Sequence, residues 1–254
     1  MSPLTRTLLS LQELQLRLGW LEEQLGRWSA RRAADVLNDL CEQSERSDPS
    51  AREALLSVAI LFASRHDIPA LARLREEAVG RRLLALERLV RLGPPPVMLE
   101  RAPDQLPVPD YGTGRELTLG ERRSLARRPD RRAFDKLLAD PHPMVIGQLL
   151  MNPKLVEADV VRLVARRPAR TEVSFEVAKN PRWLARARVR LALVLNPGSP
   201  PEVCMPLLCV CRRTDLLEVL KSTDISQTLR GTAVELLEKR PPLREVDEAD
   251  RILQ

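Results

Sequence analysis

The sequence predicts an all-α protein, a helical bundle followed by a stack of short helices, on three observations. Hydrophobic residues make up 44% of the 254 but aromatic residues only 3%, so the core must be built from Leu, Val and Ala. Leu and Ala, with the abundant Arg and Glu, are strong helix formers, whereas strands favour β-branched and aromatic side chains. Apolar residues recur at helical spacing along most of the chain. The 21 prolines fall between the apolar stretches, which places them between helices and not inside them.

Residues 1–93 read as the bundle. Leu8, Leu9, Leu11, Leu14, Leu16, Leu18 and Leu21 recur at helical spacing, and no proline interrupts from Thr5 to Asp48. After the break at Ser47-Asp48-Pro49-Ser50, Ser50 with Glu53 forms a capping-box pair that would open the next helix. Its apolar stripe is Leu55, Leu56, Ala59, Ile60 and Ala63. Asp67-Ile68-Pro69 opens a further helix carrying Leu71, Leu74, Ala78, Leu83, Leu84, Leu86 and Leu89. Gly93 and three prolines close the bundle. Residues 94–114 are proline-rich without sustained periodicity and read as a linker.

Residues 115–240 follow a different grammar. Pro129, Pro141, Pro153, Pro168, Pro181 and Pro197 punctuate the segment at intervals of 12 to 16 residues. Four of them follow Asp140, Asn152, Asn180 and Asn196. Asn tolerates the left-handed backbone at a helix end, and a following proline stops the helix. The helices between these stops are too short to be stable alone and must stack on their neighbours. Leu125-Ala126-Arg127-Arg128-Pro129 is echoed by Val164-Ala165-Arg166-Arg167-Pro168, 39 residues on, near the length of a helical-hairpin repeat. Thr118 with Glu121 caps the first helix of this array, and Pro241-Pro242 ends it, leaving a charged tail at 241–254.

The runs Leu119–Pro129, Asn152–Leu155 with Asp159–Leu163, and Val189–Pro197 resemble HEAT-like and leucine-rich-repeat-variant proteins of a myxobacterial type. The resemblance covers about residues 111–240. It implies a HEAT-like α-solenoid and, by analogy of fold, a binding role.

Charge is unevenly spread. Residues 1–113 hold 15 basic and 16 acidic side chains, 114–240 hold 24 and 15, and 241–254 hold 2 and 4. The cations are nearly all arginine, which suits fork-shaped contacts to carboxylate or phosphate; a GC-rich genome that codes most cations as Arg is the plain alternative. Arg127, Arg128 and Arg131 in one repeat, and Arg166, Arg167 and Arg170 in the next, are the candidate partner-binding residues. Stacked in register, they would form a basic ridge for an acidic protein partner. Nucleic-acid backbone binding is the alternative, but Phe134, Phe175 and Trp183 lie in apolar surroundings and offer no stacking platform.

Little in the chain points to catalysis. His66 and His142 are the only histidines, too few for a metal site or a triad. Cys204, Cys209 and Cys211 lack the C-x2-C spacing of zinc ligands and read, with Cys41, as small buried hydrophobes. There is no glycine-rich phosphate loop and no nucleophile elbow, and Glu157 and Asp159 read as helix-start acids. The chain is therefore expected to be a non-catalytic adaptor needing no cofactor. With no signal-peptide core or apolar span, it is expected to be cytoplasmic.

Overall fold

The computed structural model describes residues 1–96, 105–128, 130–168 and 170–240, and these hold sixteen α-helices and no strand. The first six are α1 (Pro3–Ser10), α2 (Leu14–Arg27), α3 (Ala30–Glu45), α4 (Pro49–Ser64), α5 (Pro69–Gly80) and α6 (Leu84–Val90). Then come α7 (Leu119–Arg127), a 3-10 turn at Arg131–Ala133, α8 (Phe134–Leu137), α9 (Pro143–Leu150), α10 (Glu157–Ala165) and α11 (Thr171–Ala178). The last five are α12 (Pro181–Leu184), α13 (Ala187–Val194), α14 (Pro201–Cys209), α15 (Arg213–Lys221) and α16 (Gln227–Lys239). Among the described residues no single helix is long and apolar enough to cross a membrane. Pro129, residues 97–104 of the linker and the tail at 241–254 lie outside the described residues.

Capping sets where the N-terminal helices begin. Ser2, Ser29 and Asp48 each accept a hydrogen bond from a backbone N–H in the first turn of α1, α3 and α4. The proline-free stretch to Asp48 is thereby cut into three helices. The cap of α4 is Asp48 and not Ser50, because Pro49 takes the first helical position and the cap falls two residues upstream of Ser50. The single helix expected through Leu71–Leu89 is two. Arg82 adopts a left-handed φ of 53° between α5 and α6, which turns Leu84 out to solvent while Leu86 and Leu89 stay buried.

The two halves share one continuous apolar core. Helix α4 packs against α1, α2 and α3 on one side and against α14 on the other, touching α11 and α12 as well. Helix α14 also meets α6, α13 and α16, and every one of its residues except Glu202 is buried. Pro206 lies inside α14, against the expectation that the prolines fall between helices. An interior proline forfeits one helical hydrogen bond; the all-round burial of α14 offsets that loss. Elsewhere proline occupies a first helical position, as in α1, α4, α5, α9 and α12.

In the C-terminal half, α7 packs on α9, α9 on α11, α10 on α13, and α15 on α16. The Asx-Pro junctions work differently from expectation. Among the described residues the left-handed non-glycine positions are Ser47 and Arg82, and no Asn is among them. Pre-proline residues are held out of helical backbone, and Asn180 is extended at φ −110°. Each Asx side chain instead accepts from the N–H two residues on: Asp140 from His142 (2.9 Å), Asn152 from Lys154 (3.0 Å), Asn180 from Arg182 (3.2 Å) and Asn196 from Gly198 (2.9 Å). These are Asx turns.

Two of these junctions also tie helices together. Buried Asn152 donates Nδ2 to the carbonyls of Ala126 and Arg128, both at 2.8 Å, at the C-terminal end of α7. Buried Asn196 donates to Val164 of α10 at 2.7 Å. Asn serves where Asp would not, since only the amide supplies a donor and an acceptor at once.

Candidate functional site

Short helices expose many main-chain carbonyls, because the last four of each helix have no partner within it. With only ten glycines, this chain satisfies many of them with arginine. Arg190 donates to Leu184 and Ala185 at the end of α12, at 2.7 and 2.9 Å. Arg213 reaches Leu237 and Arg240 at the end of α16, at 3.0 and 3.1 Å. Arg230 reaches Ser222 after α15 (2.7 Å), and Arg75 reaches Val90 of α6 (2.9 Å). Arg240 bonds the carbonyls of Cys209 and Cys211 at the end of α14. Much of the arginine excess is thus a set of helix C-caps, a use the sequence reading did not anticipate.

The six candidate arginines divide on this basis. Arg166 donates to the Leu138 carbonyl at 2.8 Å, and Arg167 to those of Ala165 and Arg166 at 3.1 and 3.2 Å. Arg170 bonds the Pro141 carbonyl, and burial pulls its pKa down from the ordinary arginine value. Arg131 donates to Lys154 O (2.7 Å), pairs with Asp159 (3.0 Å) and covers the Phe134 ring. Arg127 holds the Gln148 side chain at 2.8 Å. Arg128 is exposed, and no hydrogen bond or ion pair of its side chain is seen among the described residues.

The structure seats these residues around two cavities. Arg166, Arg167 and Arg170 line one of about 250 Å³ with Leu138, Leu163 and Val173. Arg128 lines another of about 420 Å³ together with Arg132 and Lys136, where the wall is completed by Tyr111, Leu125 and Ala133. Glu121 and Asp130 also face this second cleft but are engaged. Glu121 is held by Arg115 at 2.5 Å and closes the capping box with Thr118, which lowers its pKa to about 2. Asp130 caps the backbone N–H of Arg132 at 3.0 Å. Arg128, Arg132 and Lys136 are all exposed, and none has a side-chain ion pair among the described residues. Their charge is therefore available to an incoming anion.

No family model, curated protein or solved structure matches this chain.

The remaining polar residues are placed as follows. Arg122 of α7 is buried and bonds both carboxylate oxygens of Asp140 at 2.7 and 2.8 Å, with the Tyr111 hydroxyl donating to the same group at 2.8 Å. Asp159 is buried between Arg131 and Arg162. Burial opposes its charge, but bonds from Arg131, the Val156 N–H and Arg162 outweigh burial and lower its pKa. His142 caps α9 through Nδ1, accepting from the Met144 N–H at 3.2 Å. His66 stacks on Phe175 with ring centroids 4.7 Å apart, joining the two halves. All four cysteines are free thiols and buried. Burial pushes Cys204, Cys209 and Cys211 up to about 12, as expected of thiols packed as small hydrophobes. Phe134 and Trp183 are buried, and the Trp183 indole N–H donates to Leu150 O at 2.9 Å.

Lys136 and Arg132 are the residues that the sequence reading left out of the candidate set. Their signal was legible in the run Arg131-Arg132-Ala133-Phe134-Asp135-Lys136. One helical turn separates the two cations, which places them on one face.

Proposed function

We propose that this protein is a non-catalytic adaptor of HEAT-like α-solenoid architecture that binds an acidic protein partner. The supporting observation is the cleft in which Arg128, Arg132 and Lys136 converge while its two acids are already engaged. Arg127 extends this cationic surface by one residue, and Arg166, Arg167 and Arg170 flank a second cavity. A protein carboxylate suits the cleft because guanidinium forks bind carboxylates through paired hydrogen bonds. The mixed apolar and aromatic wall favours a folded or peptide partner over a bare phosphate backbone. Burial of Phe134 and Trp183 takes those two rings out of reach of a stacking base, which counts against single-stranded nucleic acid.

The test is affinity capture from native lysate with and without nuclease, using the parent and an Arg128→Glu/Arg132→Glu/Lys136→Glu variant. One acidic protein retained after nuclease by the parent and lost by the variant is the expected result. Loss of all captured material on nuclease treatment would replace this reading with nucleic-acid binding.

A further inference from the structure

A third cleft, of about 580 Å³, opens where the two halves meet. It is bounded by the start of α4, the start of α13, the α14–α15 junction and the end of α16. Arg52, Arg190, Arg212, Arg213 and Arg240 all line it. None of the five forms an ion pair among the described residues. Two acids share the cleft, and both are engaged: Glu53 pairs with Arg17 at 3.1 Å, and Asp215 caps the Arg212 N–H at 2.9 Å.

Main-chain carbonyls compensate part of this charge. Arg190, Arg213 and Arg240 each sit at a helix C-terminus, worth roughly −0.5 of a charge apiece. Even with both acids counted wholly against the cleft, about +1.5 remains. Arg240 is only 4% exposed, and its Nε has no hydrogen-bond partner. Arg190 is likewise buried. Burial lowers the pKa of both, and at Arg240 the charge of Arg52 lowers it further. Buried cations without a carboxylate are costly unless something pairs with them. Arg212 and Thr214 complete the mouth; the Arg212 side chain is exposed and has no partner among the described residues.

We propose that this cleft binds a small phosphate-bearing polyanion of di- or triphosphate size, held between the two halves by the Arg52 and Arg212 side chains over the positive charge of buried Arg240, whose terminal nitrogens stay on the Cys209 and Cys211 carbonyls. The volume suits a small ligand, and several guanidinium forks around one centre match the many oxygens of such an anion better than a single carboxylate. The site is independent of the partner-binding surface at Arg128, Arg132 and Lys136.

The test is isothermal titration of the full-length protein with pyrophosphate, tripolyphosphate and citrate at low chloride. Saturable one-site binding of the phosphates is expected, with affinity falling as salt rises. Arg52→Gln/Arg212→Gln should weaken tripolyphosphate binding by about tenfold or more, since a hydrogen bond to a charged group is worth at least that factor. Arg128→Gln/Arg132→Gln should leave it unchanged. Should the first double variant lose stability, Arg212→Gln alone, at an exposed side chain, decides the matter by the same loss of affinity. Absence of saturable heat, parental affinity in the Arg212 variant, or citrate binding as tight as tripolyphosphate would each overturn the assignment.

Discussion

At the scale of single residues, the C-terminal half depends on a few side chains that satisfy main-chain groups. Asn152 is the clearest, since its amide holds two carbonyls at the end of α7 and its oxygen holds the Lys154 N–H. Replacing it by Ala strands three buried or half-buried polar groups, each costing about 1 kcal/mol or more. We predict that Asn152→Ala lowers stability by about 2–3 kcal/mol, measured as a reduced urea midpoint at unchanged slope. Asn152→Asp should be no better, because a carboxylate would face two carbonyl oxygens. An Asp variant of parental stability would remove the amide from this account. The sequence showed that something stops the helix at Asn152-Pro153, but not how. Proline's exclusion of helical backbone at the preceding residue is local and legible. The amide's reach to a carbonyl 26 residues earlier is a tertiary fact that no spacing rule encodes.

Helix ends, more than helix middles, distinguish the elements of this chain. The capping box at Thr118 and Glu121 was readable because both partners lie within four residues. Arginine C-caps were not readable, since each donor is separated in sequence from the carbonyls it satisfies. Arg166, for instance, reaches back 28 residues to Leu138. Composition alone therefore cannot separate an arginine that staples from one that faces a partner. The distinction is testable at Arg166 and Arg128. Arg166→Gln should destabilise the fold by about 1–2 kcal/mol, the worth of a charged hydrogen bond to a main-chain carbonyl. Arg128→Gln should change stability by less than about 0.5 kcal/mol, as expected of an exposed side chain. Both follow from thermal unfolding of the two variants. Equal losses would mean that Arg128 is structural too and would weaken the proposed partner surface.

On the scale of the whole molecule, the decisive element is α14. Its cysteines read from the sequence as small buried hydrophobes, but a reading that divides the chain at residue 93 assigns the helix to one half alone. The structure sets α14 against α4 and α6 as well as α13 and α16, so its apolar surface is covered from both directions. The buried pair of Arg88 and Glu45, at 2.7 Å, lies in the N-terminal half, and Arg88 also approaches Glu235 of α16 at 3.5 Å. Two bodies joined through a shared buried helix should unfold together, since losing either one exposes the helix that the other covers. Leu208 on α14 is fully buried, and Leu208→Ala should cost about 3 kcal/mol through lost burial and the cavity left behind. The tryptophans offer a probe in each half: Trp28 between α2 and α3, and Trp183 in α12. In variants keeping only one or the other, both fluorescence transitions should coincide, and Leu208→Ala should move them by the same amount. Separate midpoints, or a shift confined to Trp183, would show that the halves are independent bodies and that α14 belongs to the second alone.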